Sequence, residues 1–458
     1  MNQHTYELKR SIPVTGPYDL VVVGGGPAGT VAAIAASRQG AKVLLVEATG
    51  NLGGMGTSAL VSAWSNLNNG IHSLIGGLFL EVVETLYEQG GLPPDVKPER
   101  WTSLRRGTGF NAEHYKRLLD QLCVDSGVEL RFFTKAIDVD VDSDKKVIRG
   151  VVLHSIEGYS FVEAKTVIDA TGDAIISDLC GVDYLQAGRD TLGIMPPTLC
   201  SAMAGIDFSR FDRKQQQEPL ERAVDEGFFS QPDKHFPGLF RTGLTTAILN
   251  AGHLFHTDAT STKSVTEAMI KGRQVAEEYV NFCRTYLDGC EDIEFVTTAA
   301  MLGVRESRRI IGEYTLDFDD HKSCRHFPDQ IAIYNKQVDI HPYDISEEQY
   351  ERYYDEFNNH VFEDGEYYGI PYGILVPKGW HNLWVAGRCT SSDIKVNGAI
   401  RDQPGCAMMG EAAGTAAVQH LHTGQSAFEL DTRQLVETLR ENGGNLPQND
   451  LSTTMTTS

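Results

Sequence analysis

Leu20-Val21-Val22-Val23-Gly24-Gly25-Gly26-Pro27-Ala28-Gly29 decides how this chain is read. Four successive apolar residues suit a strand buried on both faces, as in a parallel sheet. Gly24, Gly26 and Gly29 follow at the G-x-G-x-x-G spacing. Gly24 permits the tight turn, Gly26 lets a pyrophosphate approach the backbone, and Gly29 lets the next helix lie close on the sheet. Pro27 and Ala28 open that helix, whose N-terminus offers unpaired N–H groups and a positive dipole end to phosphates. Lys42-Val43-Leu44-Leu45-Val46 reads as the second strand, and Glu47 stands at its end. A carboxylate there accepts hydrogen bonds from both ribose hydroxyls and repels a 2'-phosphate.

This unit predicts a dinucleotide site without separating FAD from NAD, since both carry adenosine diphosphate. Three further segments decide for FAD. In Leu52-Gly53-Gly54-Met55-Gly56, glycines let backbone pass over the far end of an extended cofactor. Val167-Ile168-Asp169-Ala170-Thr171-Gly172 is an apolar strand ending in a small-residue turn, and Leu383-Trp384-Val385-Ala386-Gly387-Arg388 is another. Pro404-Gly405 then opens a helix rich in Ala and Gly, with Pro placed where its missing N–H costs nothing. That helix N-terminus is the candidate to stabilise negative charge developing on a reduced flavin.

With these segments the chain resembles the FAD-dependent oxidoreductase family of flavoproteins, related in architecture to the fumarate reductase flavoprotein and para-hydroxybenzoate hydroxylase groups. Gly24–Gly29, Leu52–Ser58, Ala170–Asp173, Arg305-Glu306-Ser307-Arg308-Arg309, Ile370-Pro371-Tyr372 and Ala386–Gly414 carry the likeness. The resemblance implies that Gly24, Gly26, Ala28, Glu47, Gly54, Met55, Ala136, Gly172, Gly387, Arg388 and Gly405 line the cofactor. Pro27, Gly29, Gly53, Ala170 and Thr171 complete the expected set. The chain departs from the pattern at Ala48, where a basic residue is common. It departs again between Arg388 and Arg401, a loop that often carries histidines and here has none. No histidine occurs from Gly54 to Ser65, so the flavin is expected to be held without a covalent bond.

The expected fold is α/β: a Rossmann-like FAD-binding domain, three-layered around a parallel sheet, with an inserted α+β substrate domain. Residues 1–17 read as a polar leader, 18–172 and 370–425 as the two parts of the FAD domain, 173–369 as the substrate domain, and 426–458 as a helix and disordered tail. Strands are expected at Glu129–Ala136, Val147–His154, Phe161–Ala170 and Asn382–Ala386, and helices at Asn111–Asp125 and up to His422. A capping box of Ser264 and Glu267 predicts another helix. The acidic, tyrosine-rich stretch Asp339–Tyr368 reads as a solvated surface with a half-buried stripe.

With 458 residues and a net charge of -22, the chain can bury a large core and repels nucleic acid and anionic lipid. No apolar run approaches the roughly 20 residues that span a bilayer, so the expected location is cytoplasmic. Eight scattered cysteines without a C-x-x-C pair suit reduced thiols and exclude a disulfide reductase of the usual kind. Without a second fingerprint, electrons must pass to or from something that diffuses in: oxygen, a quinone, a carrier or NAD(P)H.

The catalytic candidates are Arg401, His253, Arg305 and Tyr372. Arg305, Arg308 and Arg309 read as helical, either clamping a carboxylate or forming a surface ion-pair cluster. His253 and His256 could each supply an acid–base group or be structural; with Asp258 they are not expected to hold a metal, and no metal is expected. Arg401 and Tyr372 fall in segments that the resemblance places near the flavin. The first functional expectation is a dehydrogenase or oxidase moving hydride at a C–H bond of a small polar metabolite. The alternatives are a monooxygenase using NAD(P)H and oxygen, and a flavin-binding partner protein without catalysis.

Overall fold

The computed structural model describes residues 6–97, 107–358 and 361–447, the side chains of 357 and 358 excepted. Strand β1 (Val14–Val23), helix α1 (Pro27–Arg38) and strand β2 (Val43–Val46) form the expected unit. β1 starts inside the segment read as a leader, because Val14 and Thr15 pair with Phe161 and Val162. Helices α2 (Gly77–Glu88) and α3 (Ala112–Asp125) follow, the latter capped by Asn111, whose side chain accepts from the N–H groups of Glu113 and His114. The strand expected at Glu129–Ala136 is two: β3 (Glu129–Arg131) and β4 (Lys135–Asp142), parted at Phe133, which has φ +50°. Strands β5 (Val147–Ser155) and β6 (Gly158–Asp169) complete the first half.

An antiparallel sheet of β7 (Ser201–Ala204), β8 (Gly238–Arg241), β9 (Ala247–Asn250) and β10 (Glu294–Thr298), in the order β8-β9-β7-β10, is covered by the long helix α4 (Thr262–Tyr286). α4 begins before the expected capping box. Ser261 is its N-cap, and Ser264 instead accepts the N–H of Asp258 at 2.9 Å. Leu199, Met203, Leu249, Val275, Phe282 and Leu302 belong to a core of this unit's own. The later part of the expected insert does not join it. Ile331, Ile333, Tyr368 and Ile370 pack with the nucleotide-domain helices instead, so the boundary at 369 lies too late. Strand β11 (Leu383–Val385) and helix α5 (Gln403–Thr423) close the fold, and the tail from residue 448 lies outside the described residues.

The central sheet runs β3-β2-β1-β6-β11, all parallel, and β6 also carries the antiparallel meander β5-β4. Side chains alternate across it. Leu20, Val22, Leu45, Ile168 and Trp384 pack among the helices, whereas Val21, Val23, Leu44, Val167 and Val385 pack against the meander residues Ile148, Val151 and Leu153. Both faces are covered, which is why β1 and β2 are apolar throughout. Helix, parallel sheet and meander make the three layers. α1 and α5 approach so closely that a Cβ on Gly410 or Gly414 would lie 2.0 or 2.3 Å from the carbonyl oxygens of Ala28 and Ala32; the small-residue composition of α5 is a packing requirement.

Candidate active site

The first half of the site is a backbone cradle at the carboxyl ends of β1, β6 and β11. Gly24 has φ +100°, and a Cβ on it would meet the Ala170 carbonyl oxygen at 2.5 Å; one on Gly29 would lie 1.8 Å from the Gly24 carbonyl oxygen. A Cβ on Gly26 would meet nothing within 4 Å. The glycines on either side are thus required by packing, while Gly26 faces open space where a phosphate can approach the N-terminus of α1. No side chain caps that terminus, and Pro27 opens it. Gly53 and Gly54, with φ +91° and +45°, carry the turn through Met55 over Gly26, where a Cβ on Gly54 would lie 2.9 Å from the Gly26 Cα. Gly387, φ +95°, faces the Cβ of Ala28 at 3.2 Å.

Glu47 closes the cradle on the β2 side. Its Oε2 accepts the N–H of Gly25 and its Oε1 the N–H of Thr49, each at 2.7 Å. Each carboxylate oxygen retains acceptor capacity for a ribose hydroxyl. Its backbone carbonyl accepts the N–H of Thr134 at 3.0 Å, which brings Ala136 at the start of β4 to the same end. Thr171 donates its hydroxyl to Asp169 at 2.7 Å and so fixes the turn through Ala170 and Gly172. Arg388 lies at the edge of the cradle. Its guanidinium donates to the carbonyls of Gly172 and Val304 at 2.9 and 3.0 Å and pairs with Asp173, joining the cradle to the segment that leads to Arg305. Gly405 lies in the first turn of α5, where Asp402 is the N-cap without a side-chain cap hydrogen bond and Gln403 donates to the Val61 carbonyl at 2.7 Å. Open space over Gly26, two uncapped helix N-termini and a ribose-facing acid fit an extended dinucleotide.

Beside the N-terminus of α5 lies a buried polar cluster. Arg401 donates to the carboxylate and the backbone carbonyl of Asp339 at 3.0 and 3.2 Å. Asp339 faces His341 Nε2 at 3.4 Å, His341 Nδ1 lies 2.8 Å from His253 Nε2, and His253 Nδ1 lies 3.1 Å from Asp233. Tyr350 donates its hydroxyl to Asp233, and the His235 ring stacks on His253 with centroids 5.0 Å apart. Arg305 donates to Thr198 Oγ1 at 3.1 Å and to the Pro196 carbonyl.

Burial and the neighbouring Arg401 charge lower the Arg305 guanidinium to about 10. Burial and the His253 charge lower His235 to about 3, and burial with the Arg305 charge holds His341 well below the usual range, so these rings are neutral near pH 7. Burial alone would raise Asp233 and Asp339, but the facing histidines hold both below the usual carboxylate range.

Three expected catalytic residues, Arg401, His253 and Arg305, are therefore gathered here. Tyr372 is not. It is buried, donates to the Ala427 carbonyl and accepts from Trp384 Nε1, both at 2.8 Å, so its hydroxyl is committed to the core. The arginine run is not helical either. Arg308–Ile310 is a short strand paired with Tyr184–Gln186, and Arg309 forms a buried ion pair with Glu306 at 3.4 Å. His256 has φ +60°, and Asp258 bonds Thr260. The sequence reading missed Asp233, His235, Asp339 and His341. In the stretch read as a solvated surface with a half-buried stripe, Tyr350 and Tyr353 form the stripe and His341 is buried with them, and the D-x-H spacing at Asp233–His235 and Asp339–His341 was the available signal.

A stretch of 46 residues, 10% of each chain, is 56% identical to a dihydrolipoyl dehydrogenase of Trypanosoma brucei brucei. A stretch of 189 residues is 29% identical to a fumarate reductase (cytochrome) of Shewanella frigidimarina, covering 34% of this chain and 33% of that protein. The chain thus spans a third or less of the length of these curated relatives. A solved geranylgeranyl bacteriochlorophyll reductase-like protein from Thermoplasma acidophilum is 13% identical with TM-score 0.46, covering 94% of this chain and 84% of that one. Among the described residues no helix is long and apolar enough to cross a membrane. The profile of the FAD dependent oxidoreductase family matches residues 19–439: the chain belongs to that family, and FAD is its cofactor.

Proposed function

We propose that the protein is a dehydrogenase or oxidase that removes hydride from a C–H bond of a small, anionic polar metabolite and passes the electrons to a diffusible acceptor. The observation that carries this reading is the buried Arg305 guanidinium, held by Thr198 Oγ1 and the Pro196 carbonyl, with Arg401 near it beside the N-terminus of α5. Arg305 is bonded to the neutral Thr198 hydroxyl and Pro196 carbonyl, and in a chain of net charge -22 an anion must be held by local guanidiniums. Their planar donors suit a carboxylate, and burial strengthens the attraction.

When bound, FAD supplies the two-electron acceptor. Glu47 and the Gly26 backbone would hold its adenosine and phosphate end, and the uncapped N-terminus of α5 would stabilise negative charge at the other. Arg305 and Arg401 orient the substrate.

Anaerobic mixing of the purified protein with a metabolite library, followed by flavin absorbance, tests the reading. Hydroxy acids or amino acids are expected to bleach the flavin in a single turnover. Bleaching by none of them, with NADPH oxidation stimulated by an organic substrate in oxygen, would replace it with a monooxygenase reading.

A further inference from the structure

His235, His253 and His341 come from three separate segments, yet one nitrogen of each ring lies within 4.8 Å of the others. Two of the rings have a carboxylate beside the outer nitrogen: His253 Nδ1 lies 3.1 Å from Asp233, and His341 Nε2 lies 3.4 Å from Asp339. A carboxylate on one ring nitrogen draws the N–H to that side and leaves the opposite nitrogen as a lone pair. The opposite nitrogens are His253 Nε2 and His341 Nδ1, which face each other at 2.8 Å. Two lone pairs at that distance repel, so an electrophile belongs between them. The third ring points the same way: His235 Nε2 is buried and has no partner among the described residues. A buried ring nitrogen without a partner costs free energy unless something coordinates it.

We propose that His235, His253 and His341 bind a first-row divalent transition ion such as zinc, with Asp233 and Asp339 as the outer carboxylates that orient two of the ligands. Imidazole nitrogens suit such ions, and three of them leave a fourth position for water or a substrate oxygen. At zinc–nitrogen distances near 2.0–2.1 Å, tetrahedral ligands stand about 3.3 Å apart. The 2.8 Å contact opens by about half an ångström to admit the ion, less than a rotamer change. Asp233 adds negative charge beside the ion, and Asp339 is shared between His341 and Arg401. Asp233 is tied further by the Tyr350 hydroxyl and by the N–H of His253 at 2.9 Å, so the outer shell is rigid. The proposal stands whichever reaction the flavin carries out.

The test is calorimetric titration of chelator-treated, desalted holoprotein with zinc chloride, repeated with cobalt(II) while the visible d–d bands of tetrahedral cobalt are followed beyond the flavin absorption. One equivalent is expected, with tetrahedral cobalt bands and an upward shift of the unfolding temperature. His235→Ala is expected to abolish stoichiometric binding with flavin content retained. Asp233→Asn and Asp339→Asn are expected to weaken it about 10- to 100-fold. Absence of saturable zinc and cobalt binding by the wild-type holoprotein overturns the proposal and leaves a proton shared by two histidines. Undiminished binding by flavin-loaded His235→Ala overturns it too, by moving the ion elsewhere. If that variant does not fold, the wild-type titration and the two Asn variants decide.

Discussion

Glu47 Oε2 accepts the backbone N–H of Gly25 at 2.7 Å, so the residue just after the second strand holds the fingerprint turn that follows the first. Two jobs meet in one side chain: fixing the turn from within and receiving the ribose from outside. Glu47→Gln exchanges one acceptor oxygen for a donor that must point at an N–H or at a hydroxyl. Flavin affinity is expected to fall at least about tenfold, since a hydrogen bond to a charged group contributes about 1.5–3 kcal/mol. Glu47→Arg is expected to purify largely without flavin. The ratio of flavin to protein absorbance checks both; full occupancy in the Arg variant would remove the ribose contact from Glu47.

The close approach of α1 and α5 makes a second prediction. Gly410→Ala gains up to about 1 kcal/mol of helix propensity. Its new Cβ would, however, lie 2.0 Å from the Ala28 carbonyl oxygen, an atom fixed in the backbone of α1. Overpacking of this kind costs about 1–3 kcal/mol, so the steric term wins. Reduced stability to urea is expected, with weaker flavin retention, because the helices must part at Ala28 beside the cradle. A variant as stable as the wild type would mean that α5 slides freely.

Glu411, on the same helix, makes the third. It is buried, its Oε2 accepts the N–H of Leu78 at 3.1 Å at the start of α2, and burial raises its carboxyl to about 7 from the ordinary 4.5. Between these values the folded protein holds a proton that the unfolded chain has released. Stability therefore falls as pH rises through this window, by about 3 kcal/mol in all from this group, and the loss is complete above pH 7. Glu411→Gln keeps an acceptor for Leu78 and removes the titration. The difference in unfolding free energy between variant and wild type is expected to grow from pH 5 to pH 8. A constant difference would mean that Glu411 is ionised throughout.

The nucleotide half of this molecule was legible because its chemistry is local: Gly24 to Glu47 states a strand, a turn, a helix and an acid within one short segment. The same holds for α3, with Asn111 immediately before it. The polar cluster was not legible in this way. His235, His253 and His341 are brought together only by the packing of the insert against the nucleotide half, and nothing near Asp339 in sequence marks it as the partner of Arg401. Hydrophilic composition between Asp339 and Tyr368 marked the exposed carboxylates such as Glu347, Glu348, Glu351 and Asp355 and the buried tyrosine stripe correctly, but not that Asp339 and His341 at its start turn toward Arg401 and His253. Tyr372 misled for the converse reason, since proximity to a family motif says nothing of where a hydroxyl points. The arginine run misled through periodicity: residues 305 and 309 share a helical face only if there is a helix, and Arg308–Ile310 is a strand.

The basic pair gives the last prediction. Arg305 is held by Thr198 Oγ1 and the Pro196 carbonyl, so its position is set before any ligand arrives. Arg305→Lys keeps the charge and loses the planar fork, whereas Arg305→Met loses both. For the acid that bleaches the flavin fastest, Lys is expected to raise the apparent dissociation constant about tenfold, and Met about a hundredfold or more, as a buried charge-assisted pair is lost. The limiting rate of bleaching should change less than the affinity, because the arginine holds the carboxylate rather than the reacting C–H bond. In the wild type, affinity for the acid should stay level across roughly pH 6 to 9, because the guanidinium stays charged. Equal affinities for an acid and its amide in wild type and Arg305→Met alike would show that the pair is a structural support and that the substrate is neutral.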